Sequence, residues 1–255
     1  MEFFDCNLFY GPDREPEQLI LCESLGEIKA ALKRAGISGG LVFRAEYEAT
    51  RANRVLMEDL RGETELYGIL QLLPSMTGET PAPAELPEFM KANRFAAAAF
   101  RPEAHRFMAK SFVIGDYLSV LQAHRIPVIM NTKWGITIDQ IAGIMESYPA
   151  LTAVIAYHFA WPNDRILRPF LESFPNLYLD ITYLETDYGL PPLVESYGAR
   201  RILFGSGYPY SYLGSHMLVI KHAKISEEAK KLIAGGNFKR LFFESPVWKK
   251  NGVSV

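Results

Sequence analysis

The chain has 255 residues, 49% of them apolar and 22% charged, which is the composition of a globular protein and excludes disordered or collagen-like chains. Twenty-seven lysines and arginines face 29 aspartates and glutamates, a net charge of −2, so no whole-chain basicity points to nucleic acid or an anionic membrane. Two cysteines, Cys6 and Cys22, make no disulfide framework, and no paired Cys-x-x-Cys spacing suggests a zinc site. The N-terminal stretch MEFFDCNLFYGPDREPE has no basic leader, and no apolar run approaches the roughly 18 residues of a membrane span. The expectation is a reduced, cytoplasmic protein.

Eight short apolar runs follow one another along the chain. They cover 2–9, 39–43, 66–73, 94–100, 126–131, 151–158, 176–183 and 201–207, and their starts lie 25–37 residues apart. Helical periodicity fills the gaps. Ser24 to Ala35 aligns Leu25, Ile28, Ala31 and Leu32, with Gly36 as its stop. Glu48 to Leu60 aligns Ala52, Val55 and Leu56; Asp116 to Arg125, with Asp116 as N-cap, aligns Tyr117, Val120 and Leu121; Asp139 to Tyr148 aligns Ile141, Ile144 and Met145. The segment 74–87 reads as a long strand-to-helix loop, and no linker divides the chain, so one domain spanning 1–255 is expected. Eight strand–helix units in about 250 residues predict a (β/α)₈ barrel. An open doubly wound sheet has the same alternation, but its Gly-rich loop after the first strand is missing.

In a barrel the chemistry sits at the C-terminal strand ends. Strand one places Asp5, Asn7 and Phe9 on one face by period two, with Cys6 on the other face as a core thiol. The remaining strand ends offer Arg44 and Glu46, Arg101, Asn131 and Lys133, His158, Asp180 and Tyr183, and finally Ser206 and Tyr208. Arg101 suits a bidentate carboxylate clamp or a salt bridge to Glu103. Lys133 either supplies an ammonium to the mouth or points to solvent. Asp180, inside an apolar strand, needs a partner if buried: it orients Lys133 or His158, or sits in a structural ion pair. The aromatics Phe9, Tyr10, Trp134, Tyr157, Phe159, Trp161, Tyr183, Tyr188, Tyr208, Tyr210 and Tyr212 gather at these ends, as a stacking platform or as filling.

Read together, FDCNLFYG, IPVIMNT, LTAVIAYHFAWP, RILFGSGYPY and GGNFKRLF resemble the amidohydrolase-related family (amidohydrolase family 2), whose members are hydrolases and decarboxylases on a (β/α)₈ barrel. The likeness runs the length of the chain and is most specific at RILFGSGYPY. Members typically bind one divalent metal through two strand-one histidines, a strand-five histidine and a strand-eight aspartate. Those four positions are here Asn7, Phe9, Asn131 and Gly207. An amide oxygen is a poor zinc ligand, and Phe and Gly side chains are none, so the resemblance implies a barrel with no metal and no other cofactor. His158 matches the strand-six histidine that the family uses near its substrate. It acts as acid/base here or is a structural remnant.

Besides a metallohydrolase with a relocated site, two functions follow from this reading. One is a metal-independent hydrolase or lyase acting on a small cyclic or carboxylated molecule. Its catalytic residue is His158, and Asn7, Arg101, Asn131, Lys133, Asp180 and Tyr208 bind substrate. Relatives that open lactones without metal keep a strand-eight carboxylate, which Gly207 lacks. The other is an inactive barrel with a ligand-binding or regulatory role. Either partner is a small molecule rather than nucleic acid or membrane, and the family's habit implies a homodimer.

Overall fold

A computed structural model describes residues 1–12, 22–158, 164–185 and 189–244. The expected site residues all fall within this set, whereas Phe159, Trp161 and Tyr188 lie outside it. Eight strands form one parallel sheet in chain order: β1 (Phe4–Tyr10), β2 (Gly39–Arg44), β3 (Leu66–Gln71), β4 (Phe95–Ala99), β5 (Val128–Asn131), β6 (Ala153–Ala156), β7 (Leu177–Asp180) and β8 (Ile202–Leu203). Main-chain bonds from Cys6 N to Phe204 O (3.0 Å), from Gly207 N to Asn7 O (3.0 Å) and from Phe9 N to Tyr208 O (2.8 Å) tie the last strand to the first. The sheet therefore curls into a barrel, and the doubly wound alternative falls away.

Helices α1 (Leu25–Ala35), α2 (Ala49–Asp59), α3 (Leu86–Ala92), α4 (Ser111–Ala123), α5 (Ile138–Ser147), α6 (Asp164–Ser173), α7 (Leu190–Tyr197), α8 (Leu213–His222) and α9 (Glu227–Lys231) form the outer layer. Their ends follow local chemistry. Ser24 and Glu27 make a capping box on α1, and Gly36 closes it at φ 74°. Glu48 accepts from Thr50 N and Arg51 N to cap α2. α4 departs from expectation: it begins at Ser111, five residues before Asp116, which is therefore interior to the helix. The long segment after β3 carries two tight turns, at Ser75–Thr77 and Pro83–Glu85, before α3 starts at Leu86.

Two apolar clusters result. The larger lies between sheet and helices, with Val42, Leu70, Ala98, Val128, Ile155 and Leu179 pointing outward into it. The smaller fills the barrel, drawing Phe4, Leu41, Ile69, Ala97, Ile129, Val154 and Leu203 from successive strands, with Phe238, Leu241 and Phe242 of the C-terminal segment among them. β1 breaks the expected alternation. Its pairing with β2 slips between Asp5 and Leu8, three residues opposing two. Cys6 consequently joins Phe4 and Phe9 inside the barrel, and Leu8 and Tyr10 face the helices. The expectation that Cys6 faces the helix layer is corrected by this bulge.

Candidate functional site

The C-terminal mouth of the barrel holds two arrangements: a buried polar network and an aromatic plug. The network spans β1, β7 and the segment after β8. The Asn7 amide nitrogen donates to Asp180 Oδ2 (2.6 Å) and Thr182 Oγ1 (2.9 Å), and the Thr182 hydroxyl and amide bond Asp180 Oδ1 at 2.8 and 2.9 Å. Asp5 Oδ1 accepts from Asn7 N and Ser206 N, both at 3.0 Å, whereas its Oδ2, fully buried, meets no donor. Burial raises Asp5 to about 7, against its bonds to Ser206 and Asn7. Burial likewise raises Asp180 to about 6, against bonds from Thr182, Asn7 and Cys6. The Cys6 thiol lies against Asp180 and is pushed well up, first by burial and then by the two carboxylates. Asp180 is thus held by an amide, a hydroxyl and a thiol. Neither Lys133 nor His158 is the partner expected for it.

The plug lies in the same opening. Phe9 packs edge-on against Phe43, Trp134 and Tyr210, with centroids at 6.1, 6.0 and 5.1 Å, and Phe43 stacks on Trp134 at 4.4 Å. Phe9, Phe43 and Trp134 are buried. Of the two roles open to the mouth aromatics, these four rings take that of filling.

A shallow cavity of about 350 Å³ lies over the plug, lined by Tyr47, Arg101, Glu103, Arg106, Lys133 and Trp134 among others. Arg101 spans toward Phe43 (5.7 Å to the ring centroid) and donates to Glu46 O (3.3 Å). Lys133 sits 5.0 Å from the Tyr183 ring centroid. His105 bonds Tyr47 O at 3.1 Å and is held below the ordinary histidine range by burial and by Arg101. Arg44 and Glu46 pair with each other at 2.8 Å, with Arg51 as Glu46's second cation at 3.0 Å.

The sequence-derived site residues therefore divide. Asn7 and Asp180 meet in the buried network; Arg101 and Lys133 meet in the cavity. Asn131 is buried at the end of β5, its Oδ1 accepting from Lys133 N and its amide nitrogen without a partner. His158 stands apart, 53% exposed and 2.8 Å from Glu185. Tyr208 is not at the mouth: its ring is buried in the outer cluster, where burial pushes its hydroxyl above the ordinary tyrosine range. Sequence reasoning missed Thr182, the hub of the network, although it lies between the two flagged residues Asp180 and Tyr183. It also missed Arg106, five residues beyond Arg101 in a turn with no periodic signal.

The metal that the resemblance implies for the family can be tested against these residues. The Asn7 amide nitrogen is spent on Asp180 and Thr182, Asn131 Oδ1 caps a turn, and Phe9 is packed among rings. Gly207, with φ 67°, is closed to any larger residue as it stands: a Cβ there would lie 2.5 Å from Thr182 Cγ2. Among the described residues no group of three or more His, Cys, Asp or Glu side chains could hold a metal ion. The donor set does not fit a divalent cation.

An eight-stranded parallel barrel with polar side chains at the C-terminal strand ends is the fold that the sequence resemblance implies. The family profile described as Amidohydrolase matches residues 19–243, and the chain belongs to that family. No curated protein matches the sequence. Solved structures share the fold at low identity. An uncharacterised TIM-barrel protein from Bordetella bronchiseptica is 18% identical with a TM-score of 0.69, covering 94% of this chain and 98% of its own. A dihydroxybenzoic acid decarboxylase from a Polaromonas species, with bound manganese and 2-nitroresorcinol, is 17% identical with a TM-score of 0.66, covering 94% and 96%. An amidohydrolase from Burkholderia multivorans with bound zinc is 13% identical with a TM-score of 0.71, covering 96% and 100%. No described helix is long and apolar enough to cross a membrane.

Proposed function

We propose that the chain is a catalytically inactive amidohydrolase barrel that binds a small carboxylated molecule over the barrel mouth without a divalent metal. The observation that carries this reading is the plug. The space in which a family member would activate water is filled by Phe9, Phe43 and Trp134, and the acid/base candidate His158 lies outside the cavity above them. That cavity sets Arg101, Arg106 and Lys133 against the single carboxylate Glu103, with the Trp134 ring in its wall. Guanidinium and ammonium groups beside a ring suit a carboxylate on a flat apolar body. The names of two structural neighbours, a dihydroxybenzoic acid decarboxylase and a 2-pyrone-4,6-dicarboxylic acid hydrolase, support the same ligand chemistry.

Calorimetric titration with 2,6-dihydroxybenzoate and its uncharged amide tests the reading. The acid should bind and the amide should not, and Lys133→Ala with Arg106→Ala should abolish the difference. Equal binding of acid and amide would refute it. A second reading rests on the His158–Glu185 pair, a histidine oriented by a carboxylate and so equipped to move protons. Turnover of any lactone or amide, lost in His158→Gln, would establish that reading and overturn the inactive one.

A further inference from the structure

A second cavity, of about 600 Å³, opens on the same face. Its walls are Pro74, Met76, Phe107, Met108, Phe112 and Val113, almost wholly apolar. Three of these side chains stand in water to an unusual degree: Met76 is 77% exposed, Phe112 73% and Met108 55%. Clustered apolar exposure of this kind marks a binding surface more often than chance packing. The groove is also not separate from the cationic cavity. Glu103 and Arg106 line both, so one residue pair forms the partition between a charged basin and an apolar trough. Arg106 holds a left-handed backbone, φ 56°, at that junction. A non-glycine residue there costs on the order of 1 kcal/mol, and such strain concentrates at binding sites.

Continuity and charge together select one kind of occupant. A ligand confined to the basin leaves the trough wet, and a purely apolar ligand makes no use of the cationic groups that line the basin. We infer that the ligand is an amphiphilic carboxylate, its head among Arg101, Arg106 and Lys133 and its acyl tail along Met76, Met108 and Phe112. The inference rests on the carboxylate-binding reading above and adds the tail. Each cavity lies within the usual 300–1,000 Å³ range of a small-molecule site.

Calorimetry of the whole chain with butyrate, decanoate and decanol, each below its aggregation concentration, tests this. A buried methylene is worth about fourfold in affinity. Six additional methylenes, half of them buried in an open groove, should make decanoate on the order of 50-fold tighter than butyrate. Phe112→Asp, an exposed change that leaves the core untouched, should erase that gain, bringing decanoate down to about the affinity that butyrate has for the unaltered chain. Arg106→Ala with Lys133→Ala should weaken both acids. Equal affinity for butyrate and decanoate would overturn the tail and keep the head. Failure of both acids would overturn the carboxylate reading itself. Decanol binding as tightly as decanoate, or association with anionic vesicles in place of monomeric decanoate, would overturn the amphiphile assignment.

Discussion

Gly207 offers the most direct test of the claim that the ancestral metal position has been closed by packing. Its backbone is left-handed at φ 67°, and an added Cβ would sit 2.5 Å from the Thr182 methyl, Cγ2. Gly207→Ala therefore meets two costs. The left-handed backbone costs about 1–2 kcal/mol for a residue with a Cβ, and forcing a methyl into a filled space costs about 1–3 kcal/mol. The expected destabilisation is about 2–5 kcal/mol by urea unfolding. Thr182→Ser separates the two, because it removes Cγ2 and keeps the hydroxyl that joins Asn7 to Asp180. In that background Gly207→Ala should cost only the backbone share, giving a coupling of about 1–3 kcal/mol between the sites. Additive effects, or a neutral Gly207→Ala, would refute the reasoning. Gly207→Asp, the change that restores the family's carboxylate, should be worse still, since it brings a third acid toward Asp180.

Four other outcomes follow from the same geometry. Asp5 is raised to about 7 by burial, so its unfolded form ionises first as pH rises. Stability should fall between about pH 4 and pH 7 by a few kcal/mol and then level off; in Asp5→Asn, whose carbonyl still accepts from Asn7 and Ser206, this fall should shrink, and an unchanged pH profile would contradict the assignment. Phe9→Ala removes the centre of the plug and should cost about 3–5 kcal/mol, a value below about 1 kcal/mol indicating that the rings do not pack as described. His158→Gln should leave stability within about 0.5 kcal/mol, because an exposed ion pair contributes little; cooperative loss of fold would show a structural role. Zinc or manganese should produce no rise in melting temperature and chelator no loss, whereas one retained metal per chain would show that the donor set had been misjudged.

Most of the fold was legible because a parallel barrel writes its strands as apolar runs, buried on both faces, with one helix between each pair. The errors have local causes. Asp116 has the side chain of an N-cap, yet α4 starts at Ser111, behind a Lys110 that contributes no capping side chain; Ile114 and Leu118 extend the buried face. Asp116 instead accepts from Tyr117 N and from the Ser75 hydroxyl. Period-two counting failed on β1 for a different reason. A bulge is a property of pairing between strands, and nothing within FDCNLFY signals that Asp5 and Leu8 will oppose Gly40 and Val42 out of step.

The site shows where such reading stops. That Asn7, Phe9, Asn131 and Gly207 stand where the resemblance implies metal ligands was visible in the sequence; what surrounds them was not, because it depends on contacts between residues more than a hundred positions apart. Asn7 reaches Asp180 and Thr182 across 173 and 175 residues, and Asp5 reaches Ser206 across 201. These bonds link β1 to the strands that complete the barrel. A divalent ion held by several strands would cross-link the same ends, and in its absence buried carboxylates at Asp5 and Asp180 would be costly unless bonded or protonated. The network bonds Asp180 and one oxygen of Asp5, and burial raises Asp5 to about 7. Phe9, packed against Phe43, Trp134 and Tyr210, fills the space beside it. Phe9→His would place an imidazole among three rings, and Asn7→His would break the bonds from Asn7 to Asp180 and Thr182. The cavity lined by Arg101, Arg106 and Lys133 lies above the plug, where the proposed carboxylate binding does not disturb these contacts.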